Sequence, residues 1–151
     1  MNMRLEAIIL GSADLDRSKA FYEKLGWRLD IDFSAGDAFR IMQLTPPGSE
    51  FSIQFAKGRP TSEPGAVQGL YIVVPDIEAA RKELVDRGVD VTEITHSYPG
   101  EAPGSGTDPK RRSYASFATF RDPDGNGYLI QEITKRLPGR GGPDLTAAVP
   151  A

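Results

Sequence analysis

The chain has 151 residues, 39% of them hydrophobic and 26% charged, with a formal net charge of −3 at pH 7. That length suits one core or two small halves, and the acidic balance leaves no concentrated basic surface for nucleic acid. The absence of cysteine excludes disulfides, a thiolate nucleophile and a zinc–thiolate centre.

At the start, "MNMRLEAIILGSADLD" holds a brief apolar run, too short for a membrane span and without the layout of a signal peptide. A cytoplasmic protein with no membrane partner is expected. Within this run "LEAIIL" reads as a strand. A helix follows from "DLDRSKAFYEKLGWRLD", with Asp14 suited to the N-cap, Asp16 in the first turn, Lys24 in the last and Gly26 to end it. Leu15, Phe21, Tyr22 and Leu25 form an apolar stripe at helical spacing, expected to pack on a sheet. The segments "WRLDIDF", "AFRIMQL" and "EFSIQF" then read as strands.

The pattern then repeats. "GLYIVV" precedes a second helix, "DIEAARKELVDRGVDVT", in which Asp76 matches Asp14 and Gly88 matches Gly26 at an offset of 62 residues. Ile77, Ala80 and Leu84 form its stripe. "VDVTEI", "SYASFATF" and "GYLIQEI" supply the later strands, and in the last of them Tyr128, Ile130 and Gln131 match Phe51, Ile53 and Gln54 at an offset of 77. The growth in offset falls in the polar stretch "SYPGEAPGSGTDPKRR", an inserted loop over residues 97–112 and a candidate lid. Past Leu137, "PGRGGPDLTAAVPA" has no periodicity and reads as a mobile tail over residues 137–151.

Two βαβββ units in an α+β chain, with "DLDRSKAFYEKLGW" in the first and "DPDGNGYLIQEI" closing the second, resemble the vicinal oxygen chelate superfamily of glyoxalases, bleomycin resistance proteins and extradiol dioxygenases. The resemblance implies a single domain over residues 1–136, with module one at about 4–57 and module two at about 67–135. It further implies that the modules curl into a cup-shaped pair of half-barrels, and that the chain forms a homodimer.

In metal-dependent relatives four inward side chains hold the ion, one on the first and one on the last strand of each module. By the resemblance those places fall on Ala7, Ser52, Gly69 and Leu129. None of the four carries an imidazole, thiolate or carboxylate. Glu6 adjoins the first place, but alternation turns it away from Ala7. No metal and no cofactor is therefore expected.

The same alternation places Ala7, Ile9, Ser52, Gln54, Gly69, Tyr71, Leu129 and Gln131 on the cup lining, mostly apolar with two amides and one phenol. Apolar walls with a few placed polar groups suit a small organic ligand; the competing reading is that Phe39, Ile41, Phe117 and Trp27 fill the barrel. Of the neighbouring Arg111 and Arg112, at most one faces inward on an extended chain, and Arg112 is the candidate for an anionic ligand group.

Three functions stay open. The first is metal-free binding of a small, largely apolar or aromatic molecule. The second is a metal-independent glyoxalase-like isomerase or lyase in which His96, Tyr71 or Tyr98 moves a proton. The third is a metal-dependent lyase or dioxygenase whose ligands are shifted in register, bringing Glu6 into play.

Overall fold

The computed structural model describes residues 1–138; of the tail expected from residue 137, residues 139–151 lie outside the described residues. The chain forms two compact units. One comprises residues 1–68 with the turn 122–127, and the other residues 69–121 and those from 128 onward. Each carries one βαβββ module built on an open sheet.

The first unit runs β1 (Ala7–Leu10), α1 (Leu15–Lys24), β2 (Arg28–Ala35), β3 (Phe39–Thr45) and β4 (Ser52–Lys57). Its sheet has the order β1-β4-β3-β2, with β1 parallel to β4 and the other pairs antiparallel. Asp14 caps α1 as expected, its side chain accepting from the Arg17 backbone N–H at 3.0 Å. The helix ends because Gly26 adopts φ +82°, which lets Trp27 N–H reach the Tyr22 carbonyl (3.1 Å) and Gly26 N–H that of Glu23 (2.9 Å).

Alternation along the strands sorts this sheet into two faces. Leu10, Met42, Leu44, Ile53 and Phe55 are all buried and turn towards α1, where Tyr22 packs against Trp27 and Phe55 at ring separations of 5.0 and 5.4 Å. Each such side chain contributes about 1.5–3 kcal/mol when removed from water, which makes this face the core of the unit. Charged residues close its rim: Arg40 on β3 donates to Asp32 on β2 and to Asp16 on α1, and Lys19 also reaches Asp32.

The turn "DPDGNG" is clamped into this unit by its own acidic side chains. Asp122 accepts from the backbone N–H groups of Asp124 (3.0 Å) and Asn126 (2.9 Å) and from the hydroxyl of Tyr22 (2.8 Å). Asp124 accepts from Ala13 N–H and Arg17 Nη2, both at 2.9 Å, and from Ser18 Oγ at 3.2 Å. Its carboxyl is held below the usual range by these donors, the backbone of Ala13 foremost, against the opposing effect of burial, which is the largest single influence.

The second unit runs β5 (Leu70–Val74), α2 (Ile77–Asp86), β6 (Thr95–His96), β7 (Gly104–Ser105), β8 (Ser116–Arg121) and β9 (Gly127–Glu132), in the sheet order β5-β9-β8-β6-β7. Asp76 caps α2, and Gly88 at φ +80° ends it with the same pair of bonds as in α1. Phe120 and Tyr128 stack at 4.7 Å, with Ile130 buried alongside in β9.

The strand expected from "VDVTEI" is reduced to an isolated bridge between Val91 and Phe120, and the short β6 forms just beyond it. The inserted loop accounts for this. It folds back as a hairpin whose returning strand β7 pairs with β6, so residues 97–112 are built onto the sheet edge. Arg111 (φ +49°) and Tyr114 (φ +72°) hold left-handed backbone where this segment re-enters β8.

Candidate ligand-binding face

The sheet face of the first unit turned away from α1 is uncovered by any element of that unit. Strand register places Ala7 opposite Ser52 and Ile9 opposite Gln54, so the four candidates from this module share one patch. Gln43 lies opposite Gln54, and Ile41 opposite both Ala56 and Phe33. Towards the hairpin end the face is apolar: Ile31 is 44% and Phe33 53% exposed, and Phe33 meets Phe39 edge-on at 6.4 Å. Towards the other end it is polar, with Ser52, Thr45, Gln43 and Gln54 joined by side-chain hydrogen bonds.

Asp30 organises this polar end. The ladder between β2 and β3 shifts register between Leu29 and Ile31, so Asp30 is an extra residue in a bulge and its side chain reaches the same face as its neighbour Ile31. Its carboxylate accepts from the hydroxyl of Thr45, from Arg28 Nε (2.5 Å) and from Gln43 Nε2 (3.3 Å). The Thr45 hydroxyl, ahead of Arg28 and Gln43, holds the carboxyl below its ordinary range against the desolvation that would raise it. Sequence alternation missed this residue, because a bulge reverses parity and leaves no mark in the hydrophobic pattern.

In the second unit Tyr71 lies opposite Leu129 and Val73 opposite Gln131. Tyr71 is 50% exposed. Gly69 stands one residue before β5 with φ +75° and open space around it, rather than within the strand. Gln131 is buried; its Nε2 donates to the Tyr114 carbonyl at 2.8 Å, and its Oε1 has no hydrogen-bond partner.

The loop candidates are engaged in holding the insertion together. His96 Nδ1 donates to the Gly106 carbonyl at 2.9 Å. Its ring lies against Gly104, where any Cβ would approach His96 Cε1 to 2.6 Å, so a larger residue at that position of β7 would displace the ring. The Arg112 guanidinium makes bidentate pairs with both Asp108 (2.9 and 2.8 Å) and Glu101 (both 2.8 Å) and lies 3.8 Å from the centre of the Tyr98 ring. Arg111 grips Glu132 in the same way, at 2.9 and 2.7 Å.

At the four places where relatives hold a metal there is a methyl group, a hydroxyl, a bare glycine and an isobutyl group, and no group of three or more metal-binding side chains occurs among the described residues. Glu6 precedes β1 and is exposed. These residues do not fit a divalent ion. A separate depression of about 560 Å³ lies in the first unit at the start of α1, lined by Asp14, Asp16, Ser34, Arg40 and Lys57 among others. It is polar, and Arg40 there is already paired with Asp16 and Asp32.

The chain matches the model of the Glyoxalase/Bleomycin resistance protein/Dioxygenase superfamily over residues 4–128. It belongs to that superfamily, as a member without the metal-binding side chains. Among solved structures it is similar to TnmS3, an antibiotic binding protein from Streptomyces sp. CB03234, with 27% identity, a TM-score of 0.64, and 87% of this chain and 97% of that chain covered. A glyoxalase/bleomycin resistance protein from the same Streptomyces strain shares 28% identity at a TM-score of 0.60, over 85% of this chain and 99% of that one. A superfamily member from Sphaerobacter thermophilus DSM 20745, at 24% identity and a TM-score of 0.61 over 87% and 98% of the two chains, shares the fold. No curated protein matches the chain. No described helix is long and apolar enough to cross a membrane.

Proposed function

We propose that this protein binds a small aromatic organic molecule on the open face of the first sheet, without a metal ion and without transforming it. One observation carries the reading: exposed Ile31 and Phe33 lie on the same face as the hydrogen-bonded amides of Gln43 and Gln54, so an apolar platform adjoins a polar anchor. The similarity to an antibiotic binding protein supports it. The polar groups of this face are joined to one another, and none is a histidine placed to take a proton. Of the alternative proton carriers His96, Tyr71 and Tyr98, the first and last brace the insertion, and Tyr71 stands half-exposed on β5.

Isothermal titration calorimetry with planar bicyclic and tricyclic phenols tests the reading, together with mass spectrometry of the recovered compound. Stoichiometric binding of an unchanged compound, weakened by Phe33→Ala and Gln54→Met but not by His96→Ala, is expected. Metal-free turnover abolished by His96→Ala would instead establish the isomerase or lyase alternative. The homodimer and the cytoplasmic setting form part of the same proposal, and light scattering on the purified protein tests the former.

A further inference from the structure

The polar end of the open face has a direction. An ionised carboxylate has no proton to give, so every group bonded to Asp30 donates towards it. The Thr45 hydroxyl gives its proton to Asp30. Thr45 Oγ1 is then left as the acceptor in its 2.7 Å contact with Ser52, whose hydroxyl must donate. The amide of Gln43 is fixed by the same rule. Its Nε2 faces Asp30 (3.3 Å) and Ser52 Oγ (3.4 Å), so its Oε1 faces Gln54 and accepts from Gln54 Nε2 at 2.7 Å. The chain of donors therefore runs from Gln54 through Gln43 to Asp30, and its open end is Gln54 Oε1. That oxygen has no partner among the described residues and is not buried.

From this geometry we infer that Asp30 acts as a specificity-determining residue at a distance: it orients the Gln43–Gln54 pair so that Gln54 Oε1 faces the ligand as an acceptor. The face then selects aromatic molecules that carry a hydrogen-bond donor, a phenol or an aryl N–H, over analogues in which that donor is alkylated. The inference rests on the proposed binding function and names the ligand class for that site. Asp30 is a positioning residue, since it acts through two amides.

The test is calorimetric titration of the full-length protein with 2-naphthol and with 2-methoxynaphthalene, which share the ring system and differ in the donor. The wild-type protein is expected to prefer the naphthol by about tenfold, the worth of one net hydrogen bond. In Asp30→Asn an amide that can donate as well as accept removes the constraint on Gln43, and the ratio of the two affinities is expected to shrink towards unity. Gln54→Met, which keeps the length of the side chain without the acceptor, is expected to lose the preference too, and it serves as the second variant should Asp30→Asn fail to fold. Equal binding of both compounds by the wild-type protein overturns the inference and leaves the binding function standing. A preference that survives in both variants also overturns it. Binding of neither compound overturns it as well, and tells against the binding function itself.

Discussion

The hydroxyl of Tyr22 donates to Oδ2 of Asp122 at 2.8 Å, joining the buried face of α1 to the acidic turn 100 residues further along the chain. Asp122 is 5% exposed, and its remaining donors are Asp124 N–H, Asn126 N–H and Asn126 Nδ2. Tyr22→Phe keeps the ring contacts with Trp27 and Phe55 and removes one donor from a buried carboxylate. It is expected to destabilise the fold by about 1.5–3 kcal/mol, read as a lower urea midpoint with little change in slope.

Arg112 ties together Asp108, Glu101 and Tyr98 within the insertion. Arg112→Ala is expected to release residues 97–112 from the sheet edge, seen as rapid tryptic cleavage at Lys110 and Arg111 that the wild-type protein resists. Arg112→Lys is expected to restore resistance only in part, because an ammonium cannot form the two forks.

Acid should weaken the fold in a defined window. Hydrogen bonds from Arg112 hold the Glu101 carboxyl down at about 2 and that of Asp108 well below the carboxylate range; those from Arg40, followed by Lys19, do the same for Asp32. Carboxyls depressed in the folded state contribute stability that is complete above their unfolded values and is lost as pH falls through the folded ones. The urea midpoint is therefore expected to hold from neutrality to about pH 4.5 and to fall between there and about pH 2. Glu101→Gln should flatten part of that fall.

Metal addition should leave the protein unchanged. Elemental mass spectrometry after incubation with manganese, iron, nickel or zinc is expected to find well under one ion per chain, with no rise in melting temperature. A near-stoichiometric ion would show that Glu6 or the glutamines form a site and would turn attention to lyase and dioxygenase assays.

The helices were legible because their end signals are local: Asp14 and Asp76 cap, and Gly26 and Gly88 terminate, through bonds that span only a few residues. The patch of Ala7, Ile9, Ser52 and Gln54 was legible as well, since strand parity is a property of sequence. Asp30 was not, because a bulge is a mismatch between two strands and cannot be seen in either alone. The pairing of Arg112, expected from the sequence to meet an anionic ligand group, was not legible for the same kind of reason. Its partners Glu101 and Asp108 become neighbours only once the insertion has closed on itself.

The acidic turn and the strand it launches answer to different demands. Asp122 and Asp124 act as acceptors for peptide N–H groups, a phenol and a guanidinium, and nothing in that role depends on what side chain stands at position 129. The side chain at position 129 can therefore change without disturbing the contacts that hold the preceding loop. A sequence signature centred on that loop reports ancestry of the scaffold, and chemistry has to be judged at the strand beyond it.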